Sequence, residues 1–244
     1  MRSSTSSGSA WRRAARRARA AAASEARKSP EHARALRAKF VAAVESYIGV
    51  PYSRKAHADD PSSPHHDAPL YLDCCGVIRR ALRDLSDDFG FVPGRGNQAY
   101  QFDTLPTRVD GVDALEPGDL IFYECDVKPE SGLRRQPHDM CHVEVFVGGE
   151  TGEETIGSLP HTCWRTRDLS IGQGTCGVQR FKTFRCEETG KWRLRRYWFC
   201  KIDEWLRGEC VSRCAEHDWR ERAMCEGCAG SVFDIDDDAD ESAE

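Results

Sequence analysis

Two residues in this chain have the types and the separation needed for covalent acyl chemistry. Cys74 stands in Tyr71-Leu72-Asp73-Cys74-Cys75-Gly76, where a short apolar approach meets a run with Val77, Ile78, Ala81, Leu82 and Leu85 at helical spacing. Asp73 is a suitable N-cap, so Cys74 falls in the first helical turn. The helix dipole and the unpaired N–H groups there favour an anion, which lowers a thiol pKa and makes a cysteine nucleophilic. The plainer reading of such a residue is a buried structural thiol at a helix start. His142 opens His142-Val143-Glu144-Val145-Phe146-Val147, whose alternation reads as a strand. A histidine this far downstream suits a base that meets its cysteine in space and not along the chain.

The elements that must position these two residues are legible around them. Ser29-Pro30-Glu31-His32 can start a helix, and the run from Ala33 to Tyr47 puts Leu36, Phe40, Val41, Val44 and Tyr47 on one face. Residues 53–69 are polar and proline-rich and read as a loop; His65 and His66 beside Asp67 have no third ligand at suitable spacing and are read as solvated. Asn97 to Phe102 predicts a short helix whose Gln98 and Gln101 face either the cleft or solvent. Strands are expected at Leu120–Tyr123, from His142, at Thr155–Ser158, at Val178–Phe184 and at Tyr197–Ile202, with a polar loop from Asp126 to Asp139 before the histidine strand. Helices followed by several antiparallel strands predict an α+β fold.

Four segments together resemble the NlpC-type cysteine peptidases and amidases, a branch of the papain-like superfamily. They are Gly49-Val50-Pro51-Tyr52, Asp73-Cys74-Cys75-Gly76, Pro117-Gly118-Asp119-Leu120 and His142-Val143, in family order and within about 95 residues. The resemblance covers about residues 40–185. It implies a papain-like fold in which N-terminal helices carrying the nucleophile pack on an antiparallel sheet carrying the histidine. It also implies that Cys74 is the nucleophile and His142 the general base, with no cofactor for catalysis. Tyr52 matches a tyrosine at the edge of the site, whose hydroxyl could donate to an oxyanion. Asp73 matches an aspartate that receives a substrate amine in members cutting bacterial wall peptides. The implied reaction is cleavage of an amide or isopeptide bond in a small peptide-like substrate, through a thioester.

The chain departs from that pattern at the residue that should hold the histidine ring. The family carries a polar side chain on the strand after the histidine, and Gly157 falls at that place. Thr155 and Ser158 are nearby, and Glu144 shares the histidine's own face by the two-residue period. None is a clear match, so the third residue is left open. Cys75 replaces a serine. Two other readings accompany the hydrolase: a catalytically weak or inactive NlpC-like binding domain, and a papain-like acyltransferase.

The rest of the chain bounds these readings. A net charge of −5 with no basic domain argues against nucleic acid, and no run of about 18 apolar residues spans a membrane. Residues 1–24 hold six arginines and no acid, which suits a transit peptide, a solvated tail or a helical extension. The last eleven residues hold seven acids and read as disordered. Twelve cysteines without a repeated framework, and the need for a free thiolate, favour a reducing, intracellular compartment, cytoplasmic or organellar. The expected organisation is a basic tail over 1–28, a hydrolase domain over 29–203, a Cys-rich extension over 204–230 and an acidic tail over 231–244. Within the extension, Cys210, Cys214, His217, Cys225 and Cys228 offer more than the four ligands a structural zinc needs; the alternative is a helix packing Trp205, Leu206 and Val211, with free thiols.

Overall fold

The computed structural model of this chain describes residues 29–53, 70–94, 96–129, 136–159, 169–171, 177–186 and 192–212. Helix α1, Pro30–Ser46, starts as its sequence dictates: the Ser29 side chain accepts from the His32 amide (3.1 Å), and Pro30 occupies the first turn, where its missing N–H costs nothing. Its apolar face buries Leu36, Phe40 and Val44. Helix α2, Cys74–Asp84, buries Val77, Ile78, Ala81 and Leu82. Each of the larger side chains contributes about 1.5–3 kcal/mol of burial. Two short helices follow, α3 (Ser86–Phe89) and α4 (Gln98–Asp103).

The strands are β1 (Arg108–Val109), β2 (Leu120–Val127), β3 (Met140–Gly148), β4 (Glu154–Leu159), β5 (Leu169–Ile171), β6 (Gly177–Phe181) and β7 (Trp192–Cys200). Among the described residues they form one sheet in the order β1-β7-β2-β3-β4-β6-β5, every neighbouring pair antiparallel. The α+β architecture expected from the sequence is therefore the one found, and α2 packs on β3 and β4. Leu120 and Phe122 on β2, with Val143, Val145 and Val147 on β3, join the core under the helices; Ile121, Tyr123, Cys125 and Phe146 join a second cluster with Leu115, Phe184 and Trp192. A strand covered on both faces carries a continuous apolar run, as Leu120-Ile121-Phe122-Tyr123 does.

Three features differ from expectation. Strand β7 begins at Trp192, five residues before the predicted start, because exposed Arg193, Arg195 and Arg196 interrupt its alternation while its backbone pairs with β2 as far as Val127. The packed body continues past residue 203: helix α5, Asp203–Leu206, buries Trp205 and Leu206 in the helix-side core. Cys125 on β2 and Cys141 on β3 are joined by a disulfide, with Cα atoms 6.0 Å apart. Their separation of 16 residues shows no pairing until the two strands lie side by side. Disulfides persist chiefly in oxidising compartments, so this bond lends no support to an intracellular setting. Among the described residues no helix is long and apolar enough to cross a membrane.

The Asp119 carboxylate ties these layers together. It is fully buried at the start of β2. Its Oδ1 accepts from Arg37 Nη1 on α1 (2.6 Å) and from the Ile202 amide after β7 (3.1 Å). Its Oδ2 accepts from the Glu116 amide (2.8 Å) and pairs with Lys201 Nζ (3.0 Å). Arg37 also reaches Asp203 (3.0 Å). Removing one member of such a buried charged network costs about 3–5 kcal/mol, because its partners stay buried without it. Asp119→Ala should lower the urea unfolding midpoint by an amount equivalent to about 3 kcal/mol or more. An unchanged midpoint would show that Asp119 does not tie the layers.

Candidate active site

The approach to Cys74 is held from both sides. The Leu72 amide donates to the Pro51 carbonyl (3.0 Å), and the Leu72 carbonyl accepts from the Ser158 hydroxyl on β4 (2.5 Å). Residues 49–51 are in turn bonded to β6, through Gly49 N to Val178 O (2.9 Å) and Val178 N to Val50 O (2.8 Å). Gly177 allows that approach, since a Cβ there would lie 2.3 Å from the Val50 carbonyl oxygen. Asp73, in extended conformation, caps α2: its Oδ1 accepts from the Gly76 amide (2.6 Å). The first turn is fixed once more by α4, where Gln101 Nε2 donates to the Cys75 carbonyl (2.9 Å). Cys74 is half-buried at the first helical position, and Cys75 is fully buried.

His142 lies on β3 opposite Tyr123 of β2, just after a bulge between Tyr123 and Glu124. The Tyr123 ring stands edge-on to the imidazole, with centroids 5.0 Å apart. His142 Nε2 is 3.0 Å from Glu144 Oε1. Glu144 is fully buried, and its Oε2 accepts from the Thr155 hydroxyl (2.6 Å) and from the Tyr123 hydroxyl (2.8 Å). Tyr123 shares that one proton with the Phe184 carbonyl (2.7 Å).

Cys74 and His142 each favour the charged form of the other. The strongest influence on Cys74 is the adjacent Cys75 thiol, which pulls its pKa down; burial opposes this, and His142 adds to the lowering. For His142 burial alone would disfavour the cation, but the Cys74 thiolate and then Glu144 outweigh it, and the imidazole pKa is raised. Cys75, whose thiol donates to Asp73 Oδ1 (3.3 Å), is pushed the other way, first by the neighbouring Cys74, then by burial and by the Asp73 charge. A lowered thiol beside a raised imidazole favours the thiolate–imidazolium form of the two.

The structure thus brings Cys74, Asp73, His142, Glu144, Thr155 and Ser158 into one region, with different contacts for each. Glu144 touches the ring, Thr155 touches Glu144, and Ser158 holds the chain leading to Cys74. Tyr52 follows the bonded segment 49–51 next to that chain. Gln101, expected to face either the cleft or solvent, is buried against the first turn of α2, whereas Tyr123 sits in an apolar strand and only the packing reveals it. Cys210 lies 3.9 Å from the Tyr100 hydroxyl, and burial raises its pKa. Cys214, His217, Cys225 and Cys228, like His65, His66, the basic N-terminal tail and the acidic C-terminal tail, lie outside the described residues.

No family model matches the chain, and no curated protein matches it. Among solved structures, the peptidoglycan hydrolase RipB from Mycobacterium tuberculosis is similar over 72% of this chain and 69% of that chain, at a TM-score of 0.40 and 16% identity. A likeness that distant carries no inference about activity.

The opposed shifts of the adjacent thiols have a direct readout. Iodoacetamide should modify Cys74 well below the pH at which an ordinary thiol, with a pKa of about 8.5, becomes reactive, and should leave Cys75 unmodified at neutral pH. Mass spectrometry of the digested protein across a pH series checks both, and labelling of Cys75 first would reverse the assignment.

Proposed function

We propose that this chain is an NlpC-like cysteine hydrolase that cleaves an amide or isopeptide bond of a small peptide-like substrate. What supports the reading is the placement of Cys74 at the first position of a capped helix packed on the strand that carries His142, with the thiol pKa lowered and the imidazole pKa raised. The Cys74 sulfur attacks the carbonyl carbon, and the Cys74 backbone N–H and the Tyr52 hydroxyl receive the charge that develops on oxygen. Positively charged His142 then gives its proton to the departing amine, the C–N bond breaks and a thioester remains. Water, deprotonated by His142, attacks the thioester and releases the acid and the Cys74 thiol. Asp73 Oδ1 is committed to the helix cap, so Oδ2 is the oxygen a substrate amine would meet. Through the family resemblance, bacterial wall peptides are the first substrate class to try.

The test combines an amide-type electrophilic probe with a panel of wall-peptide fragments. The wild-type protein should gain one probe mass and release amine from a fragment, and Cys74→Ala should do neither. His142→Ala should keep the circular dichroism of the wild type and lose about 10²–10⁴-fold in turnover. Undiminished turnover in either variant would remove that residue from the mechanism.

A further inference from the structure

We infer that Glu144 is the positioning residue for His142, supplied from the histidine's own strand, and that Gly157 is the gap in the neighbouring strand that makes room for it. This rests on the hydrolase reading above and adds the group that holds the base.

Residues two apart on a strand project from one face, and a glutamate is long enough to fold back to its neighbour's ring. Glu144 does so with Oε1, at 3.0 Å from His142 Nε2. A carboxylate there holds the proton on Nε2 and leaves Nδ1 for Cys74, so the ring's tautomer and direction are both set. The register Val145↔Ile156 places Gly157 of β4 directly across from Glu144. A Cβ at 157 would lie 2.7 Å from Glu144 Cγ and 3.3 Å from its Cδ and Oε1. The Glu144 arm therefore fills the volume that a side chain on β4 would need. One strand or the other can supply the group that holds the ring, not both, and this chain uses β3.

The rest of the shell fits a carboxylate retained for the imidazole. A fully buried charge is costly unless its lone pairs are met, and Thr155 from β4 and Tyr123 from β2 meet those on Oε2. Both are neutral, so neither requires a charge at 144. The ionisable groups around His142 are Cys74, with Cys75 and Asp73 behind it on the α2 side, Tyr123 from β2 and Glu144 from β3 itself. Of these, Glu144 is the anion on the far side of the ring from the nucleophile. Its charge stabilises the imidazolium, and through it the Cys74 thiolate.

The test needs no substrate. Alkylation of Cys74 is followed against pH in the full chain for wild type, Glu144→Gln and Gly157→Ala, with the His142 ring protons titrated by NMR. Glu144→Gln keeps the shape and removes the charge. The midpoint of Cys74 alkylation should rise by about one pH unit, roughly a tenfold loss of reactivity below the midpoint, and the His142 titration should move to lower pH. Gly157→Ala leaves every polar group in place but displaces the Glu144 arm, and should shift both curves in the same directions. Curves that superimpose on the wild type in folded Glu144→Gln overturn the inference. Should that variant fail to fold, an unshifted Gly157→Ala overturns it equally. A wild-type Cys74 that alkylates like an ordinary thiol would instead overturn the hydrolase reading, so the two failures are distinct.

Discussion

A carboxylate with no exposure to water must find its donors inside the protein, and Asp119 finds four: Arg37, Lys201 and the amides of Glu116 and Ile202. They come from α1, from the turn before β2 and from the segment after β7. These three segments meet only when the first helix, the middle of the sheet and the end of the last strand have all assembled. That condition makes the start of β2 a fixed point. Strand β3, with His142, is registered against β2, and α2, with Cys74, packs on β3. The placement of Cys74 relative to His142 therefore depends on a buried charge that touches neither of them.

The same constraint recurs one strand away. Glu144 is equally buried and is met by Tyr123 from β2 and Thr155 from β4. Its remaining oxygen faces the imidazole. Around Cys74, side chains hold the backbone: the Asp73 cap, the Ser158 bond to the Leu72 carbonyl and the Gln101 bond to the Cys75 carbonyl fix the first turn of α2 and its approach. Cys75 gives its thiol proton to Asp73 Oδ1, and the neighbouring Cys74, burial and the Asp73 charge push its pKa up. Two adjacent cysteines thus acquire opposite acid–base character from their surroundings.

Local signals located most elements. Ser29 and Asp73 cap their helices as their types suggest, and the alternation around His142 lies on an observed strand. Where local signals conflicted, tertiary contacts prevailed. The arginines of β7 mask its first residues, yet pairing with β2 carries the strand back to Trp192. Trp205 and Leu206 lie next to a cysteine-rich stretch that suggests a separate unit, but both are buried in the helix-side core. Of the three residues left open for holding the histidine ring, Glu144 is the one in contact with it, while Thr155 reaches Glu144 and Ser158 reaches the Leu72 carbonyl.

By itself the sequence offered a cysteine after a capping aspartate, a histidine on an alternating strand and, among three open candidates for holding its ring, a glutamate two residues beyond it. Those properties depend on residue type and short-range periodicity, which the chain carries locally. Only the tertiary structure decided which of them meet. The disulfide between Cys125 and Cys141, the Tyr123 hydroxyl on Glu144 and the fit of the Glu144 arm over Gly157 all depend on strand register. Register is settled by the whole sheet at once, because a slip of one residue would turn every side chain to the other face.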